Sequence, residues 1–320
     1  MSAPGSAYRA FDRYQQRHAW LGFPLAVRQK FSDDQGAYLA ATVTYYAFFS
    51  VFPLLLVGVT VLGFVLHGHP RLQESLAHSV LQQLPIIGSQ RLHALSGSTL
   101  GLVVGLVLAL WSGMGVFLAA ENAMNHLWGV PFRRRPDALR QRLKALRLLL
   151  LLGGGALATA VLAGAGTFGA SYGIAWKIAS IVLSTALNFA LFWFGFKVLT
   201  AREVGWSDVR NGAIIAAVLY EVLQALGGWY VGHELRHARS VYGTFALVIG
   251  LLSYLYLATQ ITLLAAEANV VAKRHLWPRS FSVIVEEPAT GADKRALEQR
   301  SKVEERRSDQ RVDVDFVEKR

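Results

Sequence analysis

The chain has 320 residues, of which 53% are hydrophobic and 17% are charged, and its formal net charge at pH 7 is +11. Soluble domains carry about a quarter charged residues, and this chain also crowds its charges into short stretches. It contains no cysteine, which excludes disulfides, thiolate metal sites and cysteine nucleophiles. Long blocks without charge are what a bilayer requires of a spanning helix. The composition therefore predicts an all-α, polytopic integral membrane protein.

Residues 1–35 are polar and basic. They lack the short apolar core and cleavage site of a secretory signal peptide. We therefore expect a basic cytoplasmic N-terminal segment that is not removed.

Six apolar blocks follow, each long enough to cross a hydrocarbon core of about 30 Å. The predicted spans cover residues 38–66, 99–127, 146–170, 177–200, 211–231 and 242–272. Together they predict a six-helix membrane domain over residues 36–275. Pro53 lies inside the first block, where its missing N–H should kink the helix.

The connection between the first two spans is too polar to insert. Apolar residues recur at every fourth position from Leu72 to Leu84, just before Pro85. This spacing predicts a short amphipathic helix in the first external segment.

Lysine and arginine are distributed unevenly between the two sides. One side collects the N-terminal segment, the loop with Arg133, Arg134 and Arg135, and the tail after Lys273. The positive-inside rule then places both termini in the cytoplasm. Because the cations flank apolar blocks, they indicate topology and contact with anionic headgroups at the basic cytoplasmic loops, not nucleic acid.

The tail, residues 276–320, mixes acidic and basic residues with few large apolar ones. Such a composition is typical of a solvated, largely disordered segment. Within it we expect at most a helical stretch over residues 292–307.

Ionisable and polar side chains inside the spans form the candidate site, because burying them in lipid is costly. Glu221 falls near the middle of the fifth span, whereas two other acids lie near the cytoplasmic ends of theirs. The candidate residues are Glu221, Tyr45, Tyr46, Glu121, Asn122, Asn125, Gln260, Glu267 and Asn269.

Two interpretations of this set stay open. These residues either line a polar cavity between helices, open to the cytoplasm, or hydrogen-bond across helices and hold the bundle together. A buried glutamate without a nearby cation is protonated, and the apolar blocks offer no lysine or arginine as an obvious partner.

Several catalytic motifs are absent from the sequence. There is no Walker loop and no His-Glu-x-x-His pair, so we predict no ATP-driven chemistry by this chain and no zincin site. We expect no enzyme activity, catalytic residue, cofactor or metal centre.

Three stretches together resemble a known family. They are YLAATVTYYAFFSVFPLL from Tyr38, AAENAMNHLWGVPFRRR from Ala119, and the last span, which begins VYGTFALVIGLLSYLYL at Val241 and ends AAEANVV at Val271. In order and spacing they resemble the YihY/virulence factor BrkB family of bacterial inner-membrane proteins, formerly mislabelled ribonuclease BN. The positions most similar to its motif residues are Glu121, Asn122, Asn125, Tyr242, Gly243, Glu267 and Asn269.

That resemblance implies a six-helix protein of the bacterial inner membrane with a poorly defined role and no assigned catalytic residues. Members have been linked to serum resistance or to traffic of lipid-like envelope precursors. Our first hypothesis is a transporter of a lipid-like or amphiphilic substrate, with its cavity around Glu221, Tyr45, Asn125 and Gln260. The alternative is a non-catalytic membrane scaffold or envelope assembly factor, and a ribonuclease is disfavoured. The glycine-rich faces leave a homo-oligomer open.

Overall fold

The computed structural model describes residues 4–65, 99–153, 174–200, 204–233, 235–280 and 289–316, and within these ranges the chain is helical without strands. Nine α-helices are described. They are α1 (Pro4–Arg17), α2 (Ala19–Asp33), α3 (Gly36–Val65), α4 (Thr99–Leu127), α5 (Ala138–Leu148), α6 (Ile174–Leu199), α7 (Trp206–His233), α8 (Leu235–Arg274) and α9 (Gly291–Ser301). A π-helical turn, Leu149–Gly153, continues α5.

Five of these helices, α3, α4, α6, α7 and α8, are long and apolar enough to cross a membrane. They correspond to the first, second, fourth, fifth and sixth predicted spans. Most of the third predicted span, and the amphipathic helix expected between Leu72 and Leu84, lie outside the described residues. Four helices, α3, α6, α7 and α8, begin earlier than their spans were predicted to, because hydropathy marks where lipid contact starts and not where the helix starts.

The outer surface of the five helices is apolar. Large side chains such as Trp111, Ile178 and Leu226 are more than half exposed to the surroundings of the protein. Within each apolar window, between 11% and 33% of the residues are buried inside the protein. Soluble proteins rarely expose so many large apolar side chains, whereas a helix that faces lipid does.

The buried core lies at one end of the bundle. It joins the first turns of α3 and α7 to the last turns of α4, α6 and α8, with Ala40, Met124, Phe196, Val209 and Ala266 as representatives. Along their lengths, α3 packs on α4 and α8, and α7 packs on α6 and α8. Specific packing is therefore concentrated where the chain leaves the apolar layer.

The basic N-terminal segment forms α1 and α2 at this end. The side chains of Ala26, Val27 and Lys30 in α2 are buried, and α2 packs against α8. The carbonyl oxygen of Gln15 lies so close to Gly22 that a β-carbon there would collide with it. The segment is therefore a folded part of the protein.

Residues 289–316 of the tail are folded although their composition is typical of disorder, and the helical stretch expected over residues 292–307 corresponds to α9 and the 3-10 turn Lys302–Glu304. Helix α9 starts at a capping box in which Thr290 and Asp293 satisfy each other's backbone N–H groups. Its Ala296 joins the core, and the Gln299 side chain donates to the carbonyl of Leu127 at 3.2 Å. Composition failed to reveal this because the tail's few apolar and capping residues gain their partners from the span ends.

Candidate functional site

A buried charge cluster joins α2 to α8. The Lys30 amine binds the Asp34 carboxylate one turn later, lies 3.8 Å from Oε2 of Glu267, and donates to the carbonyl of Leu127 at 3.4 Å. All three charged side chains are at most 2% exposed. One cation thus serves two buried acids, and neither oxygen of Glu267 accepts a hydrogen bond from the described residues.

Glu121 near the end of α4 has its own cation. Lys144 of α5 donates to its Oε1 at 2.8 Å. In the next residue, Asn122 accepts from Nη1 of Arg135 at 2.6 Å. The loop after α4 therefore folds back onto the end of that helix. Two of the buried acids thus have cationic partners, and these partners, Lys30 and Lys144, come from outside the apolar blocks, which offered none.

Asn269 fastens α8 to α7. Its Oδ1 accepts from the backbone N–H of Gly212 at 2.6 Å, and its Nδ2 donates to the carbonyl of Val209 at 3.2 Å. A β-carbon on Gly212 would collide with the carbonyl of Ala265. This amide therefore serves a close helix contact, as the structural interpretation expects. Asn125 is fully buried at the same end.

Glu221 lies apart from that cluster, nine residues further along α7 than Gly212. Its Oε1 accepts from Oγ of Ser184 at 2.7 Å and from Nδ2 of Asn188 at 2.9 Å. Here α6 supplies neutral donors and not a cation. The acid is half-buried.

An apolar groove lies between α6 and α7, the two helices that the hydrogen bonds of Glu221 join. It has a volume of about 390 Å³ and is lined by side chains such as Ile181, Phe189, Ile214 and Val218. Ile214 and Val218 lie two turns and one turn before Glu221 on the same helical face. Glu221 is not a lining residue of the groove, but it follows these two along α7.

The remaining predicted residues lie elsewhere. Tyr45 and Tyr46 are 56% and 42% exposed on the outer surface of α3, where Tyr45 packs against Phe49. Gln260 is half-buried on α8. None of the nine predicted residues lines the apolar groove or the polar cavity described next.

That cavity of about 1000 Å³ lies at the end of the bundle where the core is, between the loop after α4, the end of α8 and the tail. Arg133 holds the tail there: both Nε and Nη2 bond Oε2 of Glu305, at 3.0 and 2.7 Å, and its N–H donates to the carbonyl of Glu305 at 3.1 Å. Arg274 of α8 donates to the carbonyl of Trp128 at 2.7 Å. We call this cavity the tail pocket.

Gly129 shapes one wall of the tail pocket. Its φ of 62° ends α4 in a Schellman turn, in which Gly129 N–H bonds the carbonyl of His126 and Val130 N–H bonds that of Asn125. A β-carbon there would also collide with Gln299 of α9. A glycine after the apolar run, and the Thr290–Asp293 capping spacing, were the sequence signals for the end of α4 and the start of α9.

Comparison with known proteins identifies the family. The profile of the family described as "Virulence factor BrkB" matches residues 27–280. The chain belongs to this family. The resemblance seen in the sequence is thereby confirmed, and the match includes the charge cluster, Glu221 and the five apolar helices.

Relatives of this BrkB-family chain are themselves membrane proteins. It is 24% identical to "Inner membrane protein YhjD" of Escherichia coli K12, over 78% of this chain and 81% of that protein. It is 26% identical to "UPF0761 membrane protein Mpe_A1422" of Methylibium petroleiphilum, over 78% of this chain and 62% of that protein. It is 28% identical to a "UPF0761 membrane protein" of Alkalilimnicola ehrlichii, over 77% of this chain and 57% of that protein.

The chain thus spans less than two thirds of the UPF0761 relatives it matches. No solved structure matches it. Together, the family and the apolar helices make this chain a multi-pass inner-membrane protein. The names of its relatives carry no catalytic activity.

Proposed function

We propose that this BrkB-family protein is a non-catalytic membrane scaffold whose working surface is its cytoplasmic end. The observation that carries the proposal is the docked tail. Residues 289–316 fold onto the ends of the spans and complete a polar cavity there, with Arg133 and Glu305 as the main clasp. The same end holds α1, α2 and the charge cluster of Lys30, so most of the specific packing serves this face.

The topology we propose has six crossings, with both termini in the cytoplasm. Its support is the shared core, in which α3 and α7 begin while α4, α6 and α8 end. Because α4 and α6 both finish at this end, the chain has to change sides between Leu148 and Ile174, where the third span is predicted. The Arg133–Arg135 run lies at this end, as the positive-inside rule requires.

The contacts of the buried acids favour a scaffold over a polar transport path. Glu121 and Glu267 have lysine partners from other elements, and Asn269 is bound to backbone. Each contact joins one element to another, and removing one partner of a buried ion pair is strongly destabilising. The buried polar groups thus support a fixed cytoplasmic face.

Deleting residues 289–320 tests the scaffold directly. The full chain, extracted from its host membranes in a mild detergent, should migrate on native gels in an assembly larger than the chain alone. We expect the deletion to lose that assembly while inserting normally, and Glu221→Gln to retain it. An unchanged assembly in the deletion, at matched membrane abundance, would contradict the scaffold proposal.

The groove beside Glu221 favours a second candidate, a carrier of a lipid-like or amphiphilic substrate. Its apolar walls suit an acyl chain, and Glu221 follows the lining residue Val218 by one turn of α7. A carrier predicts that Glu221→Gln abolishes movement of a fluorescent phospholipid in proteoliposomes. The same change at Glu121, which is tied to Lys144, should leave movement intact. Movement that survives in Glu221→Gln would remove this candidate.

A further inference from the structure

The tail pocket carries an excess of positive charge. Five cationic side chains line it, from Arg133, Arg134, Arg274, Lys302 and Arg311, against the two acids Glu305 and Asp313. A cavity that concentrates one sign of charge raises the local concentration of ligands of the opposite sign.

The cations of the pocket differ in what they already bind. Arg133 is committed to Glu305, and Arg274 donates to the carbonyl of Trp128. Among the described residues, Arg134, Lys302 and Arg311 make no ion pair with any acid. The clasp at Glu305 therefore builds the wall. In the part of the chain that the structure describes, the other three cations line the pocket without an ion-pair partner, and Asp313 is the one lining acid outside the clasp.

We propose that the tail pocket binds a ligand bearing a phosphate group. This inference rests on the proposed function, because it names the partner of the cytoplasmic face. Arginine guanidinium groups bind phosphate oxygens through paired, charge-assisted hydrogen bonds. A volume of about 1000 Å³ is large enough for a phosphate together with the glycerol, sugar or second phosphate attached to it.

Two sources share this chemistry. The pocket is built on the last turns of α4 and α8, close to the level where anionic headgroups of the cytoplasmic leaflet lie. It is also lined by tail residues beyond the span ends, from which a water-soluble phosphate ester can enter. The ligand class is the same for both, and the experiment separates them.

The test uses the full-length chain in a neutral detergent and two probes. Inorganic pyrophosphate represents the soluble source, dihexanoyl phosphatidylglycerol represents the headgroup, and dihexanoyl phosphatidylcholine is the zwitterionic blank. The pocket variant is Arg134→Gln with Arg311→Gln. Its matched control is Arg140→Gln with Arg142→Gln, which removes the same charge from the exposed face of α5 outside the pocket.

We expect saturable binding of at least one phosphate probe by calorimetry. The pocket variant should raise its Kd by about tenfold or more, the loss that corresponds to roughly one charge-assisted contact. The control should change Kd by less than about threefold, since solvent and salt screen the exposed charges that it removes. Binding of pyrophosphate assigns a soluble source, and binding of phosphatidylglycerol alone assigns a headgroup.

Absence of binding to both probes would overturn the inference, as would equal weakening in pocket variant and control, which would indicate diffuse charge attraction. This result is independent of the native-gel test of the scaffold, because it uses the purified chain without partners. If a phosphate probe binds but the assembly persists after deletion of the tail, the scaffold proposal alone is overturned. If the assembly depends on the tail but neither phosphate probe binds, the phosphate site alone is overturned.

Discussion

Lys30 is the single cation between two buried carboxylates. It binds Asp34 and lies 3.8 Å from Glu267, with all three side chains withdrawn from solvent. Removing one partner from a buried ion pair leaves an uncompensated charge, which costs about 3–5 kcal/mol. Because the two acids belong to different elements, the loss should loosen α2 from the last span.

We therefore expect Lys30→Gln to reduce the free energy of unfolding by about 3 kcal/mol or more, measured by thermal and denaturant unfolding of the detergent-solubilised protein. Adding Glu267→Gln should recover part of the loss, since one buried charge is then gone. Lys144→Gln is the matched control: its amine is 26% exposed and serves one acid, so it should lose less. Stability equal to wild type in Lys30→Gln would show that the cluster does not hold α2.

The sequence singled out Glu121 and Glu267, which are buried, and missed what they bind, whereas Glu221, placed near the middle of its span, is half-buried. Glu121 and Glu267 stand out because each interrupts an apolar block. Lys30 looked like one of many topology-setting cations, although its spacing of four residues from Asp34 is the signal of a helical ion pair. Glu267 is 237 positions away from Lys30 in the printed sequence, and no local pattern links them.

At the scale of elements, α9 depends on Asp293. Arg279 bridges it to α2, with Nε 2.9 Å from Asp293 and Nη1 2.7 Å from Asp33. Burial alone would raise the pKa of Asp293, but hydrogen bonds from Arg279, Thr290 and Ser280 outweigh it and hold the pKa below its ordinary value. The carboxylate form is therefore the one that docks the helix.

The sign of the pH dependence follows from this lowered pKa. Asp293 stabilises the docked tail fully above its unfolded pKa of about 3.9, and the contribution is lost as the pH falls through the lower folded value. A nitroxide at Leu297→Cys, an exposed position on α9, should thus stay immobile from about pH 8 to 5 and become mobile below about pH 4. Asp293→Asn should be mobile already at neutral pH. An acid transition identical in that variant would show that Asp293 does not control docking.

Hydropathy predicted five of the elements well because spanning a bilayer is a property of each segment by itself. The docking of α1, α2 and α9 depends on contacts made by other segments. Their sequences contain residues that favour a helix, such as Thr290 and Asp293 for the cap. The high density of charge in these segments is nevertheless typical of disorder, and the prediction followed it. Local caps predict that a helix exists and not that it packs.

For the whole molecule, the structure separates two surfaces. The five apolar helices expose large side chains to lipid and bury few residues among themselves, whereas the end with the core gathers the ion pairs, the N-terminal helices and the tail. Glu221 and its groove belong to the first surface, and the tail pocket belongs to the second. The described helices therefore combine an apolar outer surface with a packed, polar face at one end.

The most direct test of that face is a cross-link between its two halves. The chain contains no cysteine, so Arg133→Cys with Glu305→Cys gives an unambiguous pair, while the contacts of Gln299 and Asp293 still hold the tail. The backbone hydrogen bond of 3.1 Å between these positions brings their α-carbons near the roughly 5.5–6 Å typical of a disulfide. In isolated membranes under mild oxidation, we expect this pair to form a disulfide within the chain, and Arg140→Cys with Glu305→Cys to stay reduced. If the first pair fails to cross-link, or both pairs react equally, the tail is not docked and the proposed face does not exist.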